Sequence, residues 1–204
     1  MLRQLKIAAV SVLAFTLLFG LAFPLGITAI ARLVFPRQAA GSLVTRDGHV
    51  VGSALIGQAF AGAGYFHPRP SAAGPGYDAS SSGGTNLGPT SDKLINGVHK
   101  TGADTSANFD GIRDLVAAYR SENGLARGAP VPADAATRSA SGLDPDISPA
   151  NAQLQVARVA AARGLLPQLV RQLVDAHTRP RQLGFLGEPR VNVLRLNRAL
   201  DAAK

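Results

Sequence analysis

Charge is absent from Ile7 to Ala31, IAAVSVLAFTLLFGLAFPLGITAIA, and returns on both sides of that run at Arg3, Lys6, Arg32 and Arg37. At about 1.5 Å per residue a helix of this length reaches roughly 37 Å, enough to cross a hydrocarbon core of about 30 Å with some tilt. Ala29-Ile30-Ala31 has the small-residue form of a cleavage site. The apolar run, however, is much longer than the roughly 7–15 residues of a secretion signal's core. The pattern therefore predicts a retained membrane helix over residues 7–34 with a short tail at 1–6. The flanking positive charges nearly balance, so they give no orientation.

Beyond the helix the period changes. Two apolar runs around Asp47-Gly48, within Gly41–Gln58, predict a β-hairpin. From Gly62 to Asp92 glycine, proline and serine dominate, and only Tyr65, Phe66, Tyr77 and Leu87 are large apolar anchors. A loop of that length inside a folded domain is either functional or disordered, and its aromatics predict that it is pinned. Phe109, Ile112, Val116 and Tyr119 recur at helical spacing and predict a helix over about Ala107–Arg120. Ser148-Pro149 starts a further helix that Gly164 closes, and Pro167 opens another with Leu169, Val170, Leu173, Val174 and His177 on one face. Arg190–Val193 reads as a short strand and about Leu196–Ala202 as a last helix. The sum is one transmembrane helix followed by a single α+β domain with few strands over residues 35–204.

Composition narrows the chemistry. The chain lacks cysteine, which removes disulfides, thiolate nucleophiles and cysteine-ligated metals. Of the net charge of +8, four positive charges flank the apolar helix; the rest of the chain carries 17 Lys+Arg against 13 Asp+Glu. The basic residues between Arg158 and Arg198 are spread over several elements without interleaved aromatics, which argues against nucleic acid as a partner.

The motifs that could carry catalysis fall short one by one. In SSSGGTNLGPTSD, Gly83 and Gly88 enclose four residues as P-loop glycines do, but Pro89 stands where the lysine belongs. Ser82, Gly83, Gly84, Thr85 and Asn86 are thus weak cofactor-binding candidates. His49, His67, His99 and His177 have no second histidine at ligand spacing and predict no metal site. Asp144-Pro145-Asp146-Ile147-Ser148 lacks the glycine and terminal Glu of a calcium loop and reads as a turn into a helix. Only two Glu occur, Glu122 and Glu188, so paired carboxylates are scarce and no catalytic residue is assigned. In the apolar helix Ala8, Gly20, Ala22 and Gly26 would let a partner helix approach closely.

Taken together, GSLV…GSALIGQ, YFHPRPSA, Tyr77-Asp78, SGGTNLGPT, SASGLDPDISPANA, QVARVAAARG and LGFLGEPRVNVLRLNRALD, in that order behind a single span, resemble the C subunit of the Kdp potassium-transporting ATPase. The resemblance covers nearly the whole chain. It implies an accessory, non-catalytic subunit of a high-affinity potassium importer in a bacterial inner membrane. That subunit has one span and an extracytoplasmic C-terminal domain, and residues 1–6 are cytoplasmic. Its implied partners are a channel-like potassium-binding subunit, a P-type ATPase subunit, a very small single-span subunit and membrane lipid. It supports assembly and activity, and acts as a catalytic chaperone raising the pump subunit's affinity for ATP. ATP and potassium then belong to the complex, with no cofactor held by this chain alone. Ser82-Gly83-Gly84 echoes the S-G-G core of the ABC-transporter signature, with Thr85 in place of its Gln. Gly20 and Gly26 in the helix, and Asn86 and Leu87 in the loop, are the candidate partner contacts. The competing expectation is a membrane-tethered periplasmic enzyme or binding module with its site in the Gly62–Asp92 loop.

Overall fold

Pro24 shapes the N-terminal helix. A proline inside a helix lacks an amide proton, and its ring crowds the carbonyl four residues back. In the computed structural model, which describes residues 1–101 and 105–203, the chain answers by widening. Helix α1 (Leu2–Leu17) passes through a π-helical turn (Leu18–Ala22) into α2 (Phe23–Val34), and the Phe23 amide donates to the Leu18 carbonyl five residues back. Leu2–Val34 is thus one helix of 33 residues with no buried side chain, long and apolar enough to cross a membrane.

The described chain divides into two compact units, Met1–Ser53 and Ala54–Lys204. In the first, a short α3 (Pro36–Ala39) follows the long helix and leads into the hairpin of β1 (Leu43–Arg46) and β2 (His49–Ser53). Asp47 and Gly48 have φ of 49° and 80°, the doubly left-handed turn that matches strand twist. Arg46 pairs with His49 and Thr45 with Val50, with a bulge between Val44 and Thr45.

The second unit is α+β. Its helices are α4 (Asp92–Asn96), α5 (Ile112–Glu122), α6 (Ala133–Ala136), α7 (Pro149–Arg163), α8 (Pro167–His177) and α9 (Val193–Ala202). Strands β3 (Asp146–Ile147), β4 (Thr178–Arg179) and β5 (Arg190–Asn192) form an antiparallel sheet in the order β3-β5-β4. The core lies between this sheet and α7, α8 and α9, with Val156, Val159, Val170, Val174, Val191, Leu196 and Leu200 buried together. Local chemistry fixes the helix ends: the Ser148 hydroxyl caps α7 by accepting from the Asn151 amide at 3.1 Å, and Gly164 ends it at φ 65°.

One helix starts later than its apolar spacing predicts. Phe109 is drawn into a two-residue bridge with Val98, each amide donating to the other's carbonyl at 2.8 and 2.9 Å. Helix α5 therefore begins at Ile112, after an extended Gly111 whose amide donates to Asp114 Oδ2 at 2.8 Å. The final helix starts earlier than predicted, at Val193, because the Asn192 side chain accepts from the Arg195 amide.

Candidate functional site

The first half of the Gly62–Asp92 loop is held against the core by side chains acting as surrogate backbone. Phe66 is fully buried in the hydrophobic core, yet it lies outside any strand, so its amide and carbonyl need partners. Asn197 of α9 supplies both: Oδ1 accepts from the Phe66 amide at 2.8 Å and Nδ2 donates to the Phe66 carbonyl at 2.9 Å. Gln155 of α7 does the same for His67, at 2.7 and 3.0 Å. A carboxamide carries one donor edge and one acceptor edge, so each mimics a peptide of a neighbouring strand. Arg158, one turn after Gln155 on α7, donates to the carbonyls of Ala63 and Tyr65 at 2.7 and 2.9 Å and to Gln155 Oε1 at 2.7 Å. Arg163 takes the Gly64 carbonyl, pairs with Asp201 at 2.7 Å and lies over the Tyr65 ring at 4.6 Å.

Downstream, Arg69 reaches Asp144 at 2.8 Å, and the Tyr77 hydroxyl donates to the Arg69 carbonyl. The Ser71 hydroxyl donates to the Gly142 carbonyl at 2.7 Å and accepts from the amides of Ala73 and Tyr77, closing the loop on itself. Between this strap and α5 lies an open cleft of about 340 Å³, whose lining includes Phe60, His67, Arg69, Tyr77, Leu115 and Glu122. His67 Nδ1 meets Glu122 Oε1 at 2.5 Å, and its Nε2 lies 3.0 Å from the Gly62 carbonyl. That hydrogen bond holds the Glu122 carboxyl below the usual carboxylate range against the opposing effect of burial, with smaller help from the charges of His67 and Arg158. Burial, then the nearby Asp144 carboxylate, push the Tyr77 phenol up. Tyr119, beneath the cleft, is raised chiefly by burial and next by Asp134; its hydroxyl donates to Asn151 Oδ1 at 2.9 Å. His67 and Glu122 engage each other, and Arg69 engages Asp144 while its Nε stays buried without a partner, so the arrangement offers a recess whose walls mix apolar side chains with mostly paired polar groups.

The candidate residues of the SSSGGTNLGPTSD stretch lie elsewhere. Ser82 and Gly83 dock on the turn after α6: the Ser82 hydroxyl and the Gly83 amide both donate to the Ser141 carbonyl at 2.9 Å. Gly84 packs against Ala140, where an added Cβ would stand 2.7 Å from the Ala140 carbonyl oxygen. This loop's glycines do not supply its left-handed backbone: Gly83, Gly84 and Gly88 have no positive φ, whereas Asn86 has φ 53°. Gly84 serves close approach here, and an asparagine takes the left-handed position. Asn86 is exposed; Thr85 and Leu87 are half-buried, and none of them lines the cleft. Helix α4 follows with Asp92 in its first turn. Gly20 sits within the π turn and Gly26 beyond it, both exposed.

Two groupings could not be read from spacing. His99, Asp110 and Asp114 place their ligand atoms within 4.8 Å of one another, although the Asp114 oxygen nearest His99 already accepts from the Gly111 amide. Asp144 and Asp146, the pair that faintly suggested a calcium loop, instead pair with Arg69 at 2.8 Å and Arg190 at 3.1 Å.

One unburied apolar helix ahead of an α+β domain, with a long strap clamped by amides, defines a class: a single-helix chain carrying a folded domain. Comparison with known proteins makes it particular. The family described as K+-transporting ATPase, c chain, matches residues 5–202. The potassium-transporting ATPase KdpC subunit of Caulobacter vibrioides (strain NA1000 / CB15N) is 55% identical over 203 residues, covering 99% of this chain and 94% of that protein. The protein of the same name from Koribacter versatilis is 52% identical over 189 residues, covering 93% and 89%. That of Mycobacterium tuberculosis (strain ATCC 25618 / H37Rv) is 51% identical over 201 residues, covering 98% and 99%. The chain belongs to the KdpC family, the c chain of the potassium-transporting ATPase.

Proposed function

We propose that this chain is the accessory, non-catalytic subunit of an ATP-driven potassium importer in a bacterial inner membrane. Its N-terminal helix crosses the bilayer once and leaves residues 1–6 in the cytoplasm and the domain outside. There it holds the channel-like subunit and the P-type ATPase subunit in a working assembly, together with the small single-span subunit. The observation that carries the reading is the family match over residues 5–202, which spans both the apolar helix and the domain. The helix, which has no buried side chain, supports the anchoring role.

A gain in ATP affinity passes through contacts between subunits and needs no nucleotide on this chain. Pro89 replaces the phosphate-binding lysine, and the Asp92 carboxylate at the start of α4 repels phosphate. Potassium and ATP are bound by the other subunits.

Purification of the tagged chain in a gentle detergent tests the assembly: the other ATPase chains should co-elute, and recovery of the chain alone overturns the reading. Vesicles holding this chain alone should show background ATPase and background potassium flux. For topology, a phosphatase fused after Lys204 should be active and a fluorescent protein dark; the reverse pattern places the domain inside.

A further inference from the structure

The segment joining β4 to β5 is a rigid turn that carries apolar side chains into solvent. The Phe185 amide donates to the Gln182 carbonyl at 3.2 Å, and Gln182 and Leu186 exchange amide–carbonyl hydrogen bonds at 2.9 Å each. Leu183 and Gly184 have φ of 52° and 83°, a geometry that glycine adopts freely and leucine resists. One guanidinium nitrogen of Arg181 ties the arms by reaching both oxygens of Glu188 at 2.7 and 2.6 Å. At the tip Leu183 is 83% exposed, Phe185 69% and Leu186 46%. A strained backbone thus holds large apolar groups in water, two costs at one place. Strain that persists at a surface turn points to use.

We propose that this turn is a preformed anchor that inserts Leu183 and Phe185 into an apolar recess on another protein chain of the ATPase, with carboxylates on the rim facing Arg179. The proposal rests on the assembly reading above. A protein recess fits better than lipid because a fluid bilayer accepts apolar side chains in any conformation. A fixed turn gains only where the acceptor also has a fixed shape. Arg181 is already paired with Glu188, which leaves exposed Arg179 as the cation beside the tip.

The test uses the full chain expressed with the other ATPase chains. Leu183→Asn suits the left-handed backbone, so the thermal midpoint of the purified chain should hold or rise. Recovery of partner chains on the tagged variant should nevertheless fall about tenfold, as for loss of a hot-spot side chain. Phe185→Ser should act in the same direction. A photo-reactive phenylalanine analogue at position 185, activated in whole membranes, should give an adduct with another ATPase chain. Wild-type recovery with both variants, or an adduct with lipid or with a second copy, overturns the proposal. Failure of the wild-type chain to recover any partner overturns the assembly reading instead, and the membrane adduct still decides the fate of the turn.

Discussion

Asn197 satisfies both backbone polar groups of Phe66, accepting from its amide at 2.8 Å and donating to its carbonyl at 2.9 Å. Both residues are buried, so water cannot replace either bond. Asn197→Ala should destabilise the domain by about 2–4 kcal/mol, the cost of leaving two buried groups unpaired. Asn197→Asp keeps the shape and removes the donor, and should also destabilise. Chemical denaturation of the full chain in detergent checks this. A shift under about 0.5 kcal/mol, the size typical of an ordinary surface substitution, would remove Asn197 from the clamp.

Glu122 gives the fold an acid-side dependence. Its carboxyl is held below the ordinary value chiefly by the hydrogen bond from His67. A carboxylate with a depressed folded-state value contributes stability that is present at neutral pH and lost as pH falls through that lowered value. Glu122→Gln should therefore flatten the acid limb of thermal midpoint against pH while changing the alkaline limb little. An unchanged acid limb would mean that the His67–Glu122 pair contributes nothing.

Gly84 and Asn86 separate packing from contact. Gly84→Val forces a side chain against the Ala140 carbonyl and should destabilise the domain by about 1–3 kcal/mol. Asn86→Ala strains a residue at φ 53° and should cost about 1 kcal/mol, whereas Asn86→Gly keeps the backbone at ease. If Asn86 touches the channel-like subunit, Asn86→Gly lowers complex yield or growth in scarce potassium. Normal yield and normal growth show that Asn86 is only a turn residue.

Retention of the N-terminal helix is open to direct reading. Because its apolar run exceeds a secretion signal's core, N-terminal sequencing of the mature chain should begin at or near Met1. A start at Arg32 would show that the segment is removed.

What the sequence revealed depended on how local the physics was. The limits of α7 are written in Ser148-Pro149 and Gly164, all within a turn of the helix ends, and the structure places them there. The start of α5 was hidden because Phe109, at helical spacing, is captured by Val98 from earlier in the chain. Tyr65 and Phe66 were legible as anchors from their isolation among glycines and prolines. Their clamps were not, since Gln155 lies 88 positions from His67 and Asn197 lies 131 from Phe66. A buried polar residue on a helix looks the same in sequence whether it braces a loop or faces solvent. Spacing alone likewise hides the cleft, whereas the Gly83–Gly88 pattern that stands out in the sequence lies outside it, with Gly83 bonded to Ser141 and Gly84 packed on Ala140.

The widened turn at Leu18–Ala22 bears on how any neighbour sees the helix. A π turn takes more residues per revolution than an α turn. Side chains beyond Ala22 are therefore rotated from where an uninterrupted α-helix would carry them. A helical wheel drawn straight through Leu2–Val34 mixes two phases, so Thr16 and Ile30 cannot be assigned to a common side from their spacing. A tryptophan scan along this segment should accordingly show two blocks of sensitivity, each with its own helical phase and a break at Gly20.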